Sequence, residues 1–266
     1  MSTDRTIYLF VNGVACWPGN FTNWNKRAVT FTHTRTPHRA EAFEYFCTPI
    51  TRPFREDERA KHFARALREY GMKTGSGKQK AETARGDARP TDYRQDACGT
   101  GPSGTPTLLH SNTAPPWRII CVGHSNGAAV ILDGLRRAEW PRVAALHLVC
   151  AACDADFARN GLNFALSFGH VGRVFVYCGE QDWALRCAHT LPGKLLGYGV
   201  LGLTGPQHVA PRVQERVGTL WWKQYGHSTC WLPEHFRQTM KHFLTTDESD
   251  AARYATQSSS SSSSSS

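Results

Sequence analysis

The chain has 266 residues, 40% of them hydrophobic, and 31 Lys and Arg against 22 Asp and Glu give a formal net charge of +9. That length suits one large domain with insertions, and that apolar content excludes a wholly disordered chain. A basic balance favours acidic partners such as nucleic acid, anionic lipid or another anionic polymer.

Much of the basic excess lies between Lys26 and Arg94, a pattern that more often marks solvated surface than a binding site. The nine cysteines are odd in number and scattered. Cys121, Cys150 and Cys178 fall in or beside apolar runs, which predicts reduced thiols packed in a core rather than a disulfide framework. Cys150 and Cys153 form a C-x-x-C, but no second pair has zinc spacing and no redox context surrounds it. No metal and no cofactor is expected. The start, MSTDRTIYLFVNG, lacks the pattern of a signal peptide, and no run approaches the roughly 18 apolar residues of a membrane span. The expectation is a soluble, cytoplasmic chain.

In chain order, Thr6 to Phe10, continuing into Val11, reads as a strand that stops at Asn12-Gly13. Arg27 to His33 reads as a second strand. Arg55 to Tyr70 has helical spacing, with Phe63, Ala64 and Leu67 on one face and Gly71 as its end. From about 71 to 116 Gly, Pro, Ser, Thr and charge dominate, so this stretch reads as a disordered insertion. Arg118 to Val122 is a strand, Asn126 to about Glu139 a helix, and Val143 to Val149 and Arg173 to Tyr177 are strands. Gly193 to Gly205 reads as a long loop, Val217 to Trp222 as a last strand, and Pro233 to Leu244 as a last helix with Pro233 in its first turn. Strands alternating with helices predict an α/β domain over 1–248, a mainly parallel sheet with helices on both faces. The Ser-rich tail, 249–266, reads as disordered.

Gly123-His124-Ser125-Asn126-Gly127 fits G-x-S-x-G. The serine of that motif sits on a sharp strand-to-helix turn, and the residues two before and two after must be small because strand and helix crowd there. The apolar IICV before it and the helical AAVILDGLRRA after it supply that context. A nucleophilic serine needs a base, and the base an orienting carboxylate. Asp182 follows the strand Arg173 to Tyr177 and is the first choice of acid; Glu180, Asp154 and Asp156 are rivals. His227 lies between the last strand and the last helix and is the first choice of base, with His208 the rival. His189 stands too near the acid, and His235 and His242 are held in the last helix. An oxyanion hole needs two aligned backbone N–H groups. Asn126 follows the nucleophile, and Val14, after Asn12-Gly13, is the second donor expected. Trp17, Phe21, Trp24, Trp183, Trp221, Trp222 and Trp231 cluster near these loops and are candidates to line a pocket.

These segments together resemble the α/β-hydrolase superfamily, in its lipase- and esterase-like group. FVNG stands where that family has a strand ending in His-Gly, GHSNG at its nucleophile elbow, YCGEQD at its acid loop and YGHS at its histidine loop. The resemblance spans roughly residues 6–244 without the insertion. Asn12 replaces the usual histidine, and there is no room before Thr6 for the first strands of larger members, so the sheet would be trimmed. The resemblance implies a serine hydrolase acting on a small-molecule acyl substrate, through an ester or a related thioester, amide or acyl-transfer reaction. The competing expectation is a non-catalytic scaffold on the same fold, meeting an anionic partner through the basic segment.

Overall fold

The computed structural model describes residues 5–13, 24–43, 52–72, 117–190 and 198–261. Six strands form one sheet: β1 (Thr6–Val11), β2 (Arg39–Phe43), β3 (Arg118–His124), β4 (Val143–Val149), β5 (Val171–Gly179) and β6 (Val217–Trp222). Their order is β2-β1-β3-β4-β5-β6, and every pairing is parallel. The helices between them are α1 (Trp24–Arg35), α2 (Arg52–Met72), α3 (Asn126–Arg137), α4 (Leu162–Ser167) and α5 (Trp183–Ala188), and a helix Pro233–Ser261 closes the described chain.

The chain moves outward from β1 to β2, then returns past β1 to β3 and continues the other way to β6. Right-handed crossovers running in opposite directions across a sheet put their helices on opposite faces. The strand alternation records the result. Ile7, Leu9 and Val11 pack with Phe63 and Leu67 of α2 and with α3. Tyr8 and Phe10 pack with Trp24 and Ala28 of α1 and with Met240 and Phe243 of the C-terminal helix. Each buried Ile, Leu, Val, Phe or Met among them contributes about 1.5–3 kcal/mol.

Several readings of the sequence change. Arg27 to His33 lies inside α1 and is not a strand. Its β-branched residues favour a strand locally, but Trp24, Ala28 and Thr32 are buried at helical spacing. The Thr32 hydroxyl donates back to the Ala28 carbonyl at 2.9 Å, so this threonine bonds within the helix. The edge strand β2 was not expected; it is short, charged and half-buried, features that blunt an edge and hide the strand pattern. The last helix does not stop at Leu244 but runs to Ser261, through part of the expected tail. No Gly or Pro after Pro233 interrupts that stretch.

The long loop expected at Gly193 to Gly205 contains a helical turn, Leu201–Thr204. Gly71 does not end α2, which runs one residue further. Residues 73–116 of the expected insertion, 193–197 of that loop and 262–266 of the tail lie outside the described residues. Among the described residues, no helix is long and apolar enough to cross a membrane. Cys121, Cys150, Cys178 and Cys230 are buried free thiols, Cys153 is buried, and Cys187 is an exposed free thiol. Burial pushes the Cys178 thiol up to about 12 and the Cys121 thiol higher still.

Candidate active site

The strand order reverses between β1 and β3, so their carboxyl ends flank an open crevice, the place where ligands bind in open parallel sheets. β1 ends there in Asn12-Gly13 and β3 in His124-Ser125. Ser125 is the residue between β3 and α3 and has φ 56° and ψ −125°. A non-glycine backbone in that region costs roughly 1–3 kcal/mol, and the surroundings must hold it. Its N–H donates to the Val149 carbonyl at 2.9 Å, and its carbonyl accepts from Ala152 at 3.0 Å and Ala128 at 3.2 Å. The end of β4 therefore clamps the turn from one side.

The glycines of the motif have steric reasons. A Cβ on Gly123 would lie 2.9 Å from the Ala128 nitrogen, and one on Gly127 would lie 2.3 Å from the Val11 carbonyl oxygen. Gly13 is as constrained: its Cβ would stand 2.6 Å from that of Ser125 and 3.2 Å from Oγ. The exit of β1 thus passes directly against the serine. Asn12 shapes that exit, its Oδ1 accepting from the Gly13 N–H at 2.8 Å and from the Trp24 indole N–H at 2.9 Å.

His227 lies in the loop after β6 and reaches Ser125 across 102 residues of sequence, with Nε2 2.8 Å from Oγ. Its Nδ1 is 2.8 Å from Oδ2 of Asp182. An ionised carboxylate only accepts, so Nδ1–H donates to Asp182, and Nε2 is left to accept from the serine hydroxyl. Asp182 caps α5 and is fully buried, with Oδ1 accepting from the Leu185 N–H at 2.8 Å. Both its oxygens are thereby fixed. The His227 side chain keeps 20% of its surface exposed, enough to be reached from the crevice.

Asn126 opens α3 and is fully buried. Its main-chain N–H belongs to the first turn, where donors have no acceptor within the helix. Val14 lies outside the described residues. The rivals assemble elsewhere. His208 bonds Asp156 at 3.0 Å and is largely exposed, and Asp154 meets Arg159. Glu180 is exposed at the end of β5. Of the aromatics, Trp24 and Trp231 stack at 3.9 Å in the core, while Trp183, beside Asp182, and Trp221 are exposed. Trp222 is half-buried against Tyr177, and Trp17 and Phe21 lie outside the described residues.

Two neighbours were not placed at the site by the sequence. The His124 ring stands edge-on to both Trp24 and Trp231, and its Nε2–H donates to the His227 carbonyl at 2.6 Å. Burial first, and the neighbouring His227 second, push His124 down to about 3, so it stays neutral and donates from Nε2. The x before the serine is thus a tie to the histidine loop, a pairing over 103 residues that spacing cannot reveal. Cys150, at the end of β4, forms a close group with Asp182 and His227, their polar atoms within 4.8 Å. Burial holds its thiol well above the ordinary value, and nearby Cys230 and Asp182 add to this. It meets the pair as a neutral thiol, while Asp182 and His227 engage each other.

No protein-family model matches this sequence, and no curated protein matches it.

Proposed function

We propose that the chain is a serine hydrolase of the α/β-hydrolase kind, cleaving a carboxylic ester or related acyl bond through an acyl-enzyme. One observation carries the reading: a continuous hydrogen-bonded line from Ser125 Oγ through both nitrogens of His227 to the buried Asp182 carboxylate, each step 2.8 Å. The order Ser, Asp, His along the chain, the parallel sheet and the strained backbone of Ser125 support the assignment.

In this mechanism Ser125 Oγ attacks the substrate carbonyl carbon as its proton passes to Nε2 of His227. Asp182 holds the ring in the productive tautomer and stabilises the imidazolium. The N–H of Asn126 stabilises the oxyanion, with the N–H of Val14 as its proposed partner. The imidazolium then gives its proton to the leaving group. His227 next takes a proton from water as it attacks the acyl carbon, then returns that proton to Ser125 Oγ as the acyl bond to it breaks and the acid leaves. A non-catalytic scaffold would leave both the backbone strain at Ser125 and the aligned His227 without a purpose.

The test is labelling with a fluorophosphonate, followed by turnover of p-nitrophenyl esters of graded chain length. Wild type should label on Ser125 and hydrolyse at least one ester. Ser125→Ala should do neither while unfolding at the wild-type temperature. Undiminished labelling of that variant would overturn the assignment.

A further inference from the structure

At the opposite end of the sheet, where β3, β4 and β5 begin, the surface opens into a cavity of about 400 Å³. Sites for small molecules span roughly 300–1,000 Å³, so the size is suitable. Ile119, Val143 and Ala145 give it an apolar floor, and Trp117 gives it an aromatic wall. Arg118, Arg142, Arg173 and Arg216 also line it, and none of the described lining residues carries a carboxylate. Arg5 does not line the cavity; its guanidinium lies over the Trp117 ring at 5.9 Å.

The parallel sheet explains the convergence. Adjacent strands lie about 4.8 Å apart, so residues at their starts form one row. Arg118 opens β3, Arg142 precedes β4, Arg173 lies near the start of β5, and Arg216 precedes β6. Such a charge cannot be shed by deprotonation. Arg118 is positioned by donating to the Asp247 carbonyl at 3.1 Å. Arg142 and Arg216 form no ion pair with any described residue. Like charges held around one cavity repel, and an anion seated among them relieves that repulsion. A guanidinium fork matches the planar or tetrahedral oxygens of carboxylate and phosphate.

We infer that this cavity binds a small organic anion, an apolar or aromatic body bearing a phosphate or carboxylate group. The body lies against Trp117 and the apolar floor, and the anionic group meets the arginines. An inorganic ion would leave that floor unused. The cavity and Ser125 lie at opposite ends of β3, about 20 Å apart at 3.3 Å per residue, so this is a second site whose existence does not depend on the chemistry at Ser125.

The experiment is calorimetric titration of the full chain with phenyl phosphate, benzoate, inorganic phosphate and a short single-stranded oligonucleotide. Phenyl phosphate or benzoate should bind to wild type and to Ser125→Ala alike, and about tenfold more tightly than inorganic phosphate. The pair Arg142→Ala/Arg216→Ala, checked for an unchanged circular dichroism spectrum, should weaken that binding about tenfold or more. Which of the two aromatic anions wins identifies the head group. The inference is overturned if neither binds in the millimolar range, or if the double variant binds as well as wild type. Equal affinity for inorganic phosphate, or binding of the oligonucleotide alone, would overturn it too.

Discussion

Ser125 holds its position through main-chain bonds to Val149, Ala128 and Ala152 rather than through its side chain, which leaves Oγ free for His227. Asp182 is the residue on which the histidine's orientation rests. In Asp182→Asn the amide can present N–H to Nδ1, which favours the wrong tautomer and deprives Nε2 of its acceptor role. Loss of the analogous carboxylate in serine proteases costs about 10⁴ in kcat, and a drop of that order in ester turnover is expected here. Asp156→Asn, which disturbs the His208 and Arg159 pairs of the loop after β4 and not the Ser125–His227–Asp182 line, should stay near wild type; the opposite ranking would move the acid to the earlier loop. His124 makes a different prediction. Its pKa is depressed to about 3 in the folded chain, below the ordinary histidine value. Between about pH 6.5 and 3 the unfolded chain therefore binds a proton that the folded chain does not, so stability rises with pH and is lost as pH falls, by about 1.4 kcal/mol per unit. Urea unfolding between pH 4 and pH 7 should give a shallower pH dependence for His124→Gln than for wild type. An unchanged slope would show that His124 is not the titrating group.

Among the elements, the turn from β3 into α3 is set by what passes behind it. β1 leaves the sheet so close to α3 that the Val11 and Asn12 carbonyl oxygens lie 2.3 and 2.6 Å from where a Cβ on Gly127 would be. Both contacts are main chain, held by pairing to β2 and β3, and neither can retreat easily. Gly127→Ala should lose about 1–3 kcal/mol, read as a lower urea midpoint, and should lose ester turnover as Gly13 is pushed from Ser125. A variant of wild-type stability would mean the β1 exit yields without cost. The C-terminal helix is joined to the sheet by apolar packing and by polar bonds. Met240 and Phe243 are buried, and Asp247 accepts from His147 of β4 at 3.1 Å. The other nitrogen of His147 accepts from the Tyr177 hydroxyl of β5 at 2.8 Å. This buried line fixes the register of the helix against two central strands.

Across the whole molecule, one parallel sheet separates two cores and gathers different side chains at its two ends. All six strands point the same way, so their carboxyl ends gather Ser125, Asp182 and His227 from three separate segments. The amino ends of the same strands gather the arginines around the opposite cavity. The +9 charge is thus placed in part at an edge formed only by folding, not solely in the basic stretch between Lys26 and Arg94. Neither edge is continuous in sequence.

The sequence by itself determined the class of fold and the places where chemistry could sit. Apolar strands such as IICV and ALHLV mark a sheet covered on both faces, and GHSNG carries its own local geometry, because small residues beside a strand-to-helix serine are a demand of short-range sterics. Tertiary structure decided what local signals leave open. Whether Arg27 to His33 is helix or strand depended on which side chains found a core. Which histidine meets which carboxylate depended on loops over 40 residues apart arriving at one sheet edge, where His227 took Asp182 and His208 took Asp156. The role of His124 and the row of arginines arose in the same way. Each is a contact between strands or loops distant in the chain, and periodicity and spacing describe only neighbours along it.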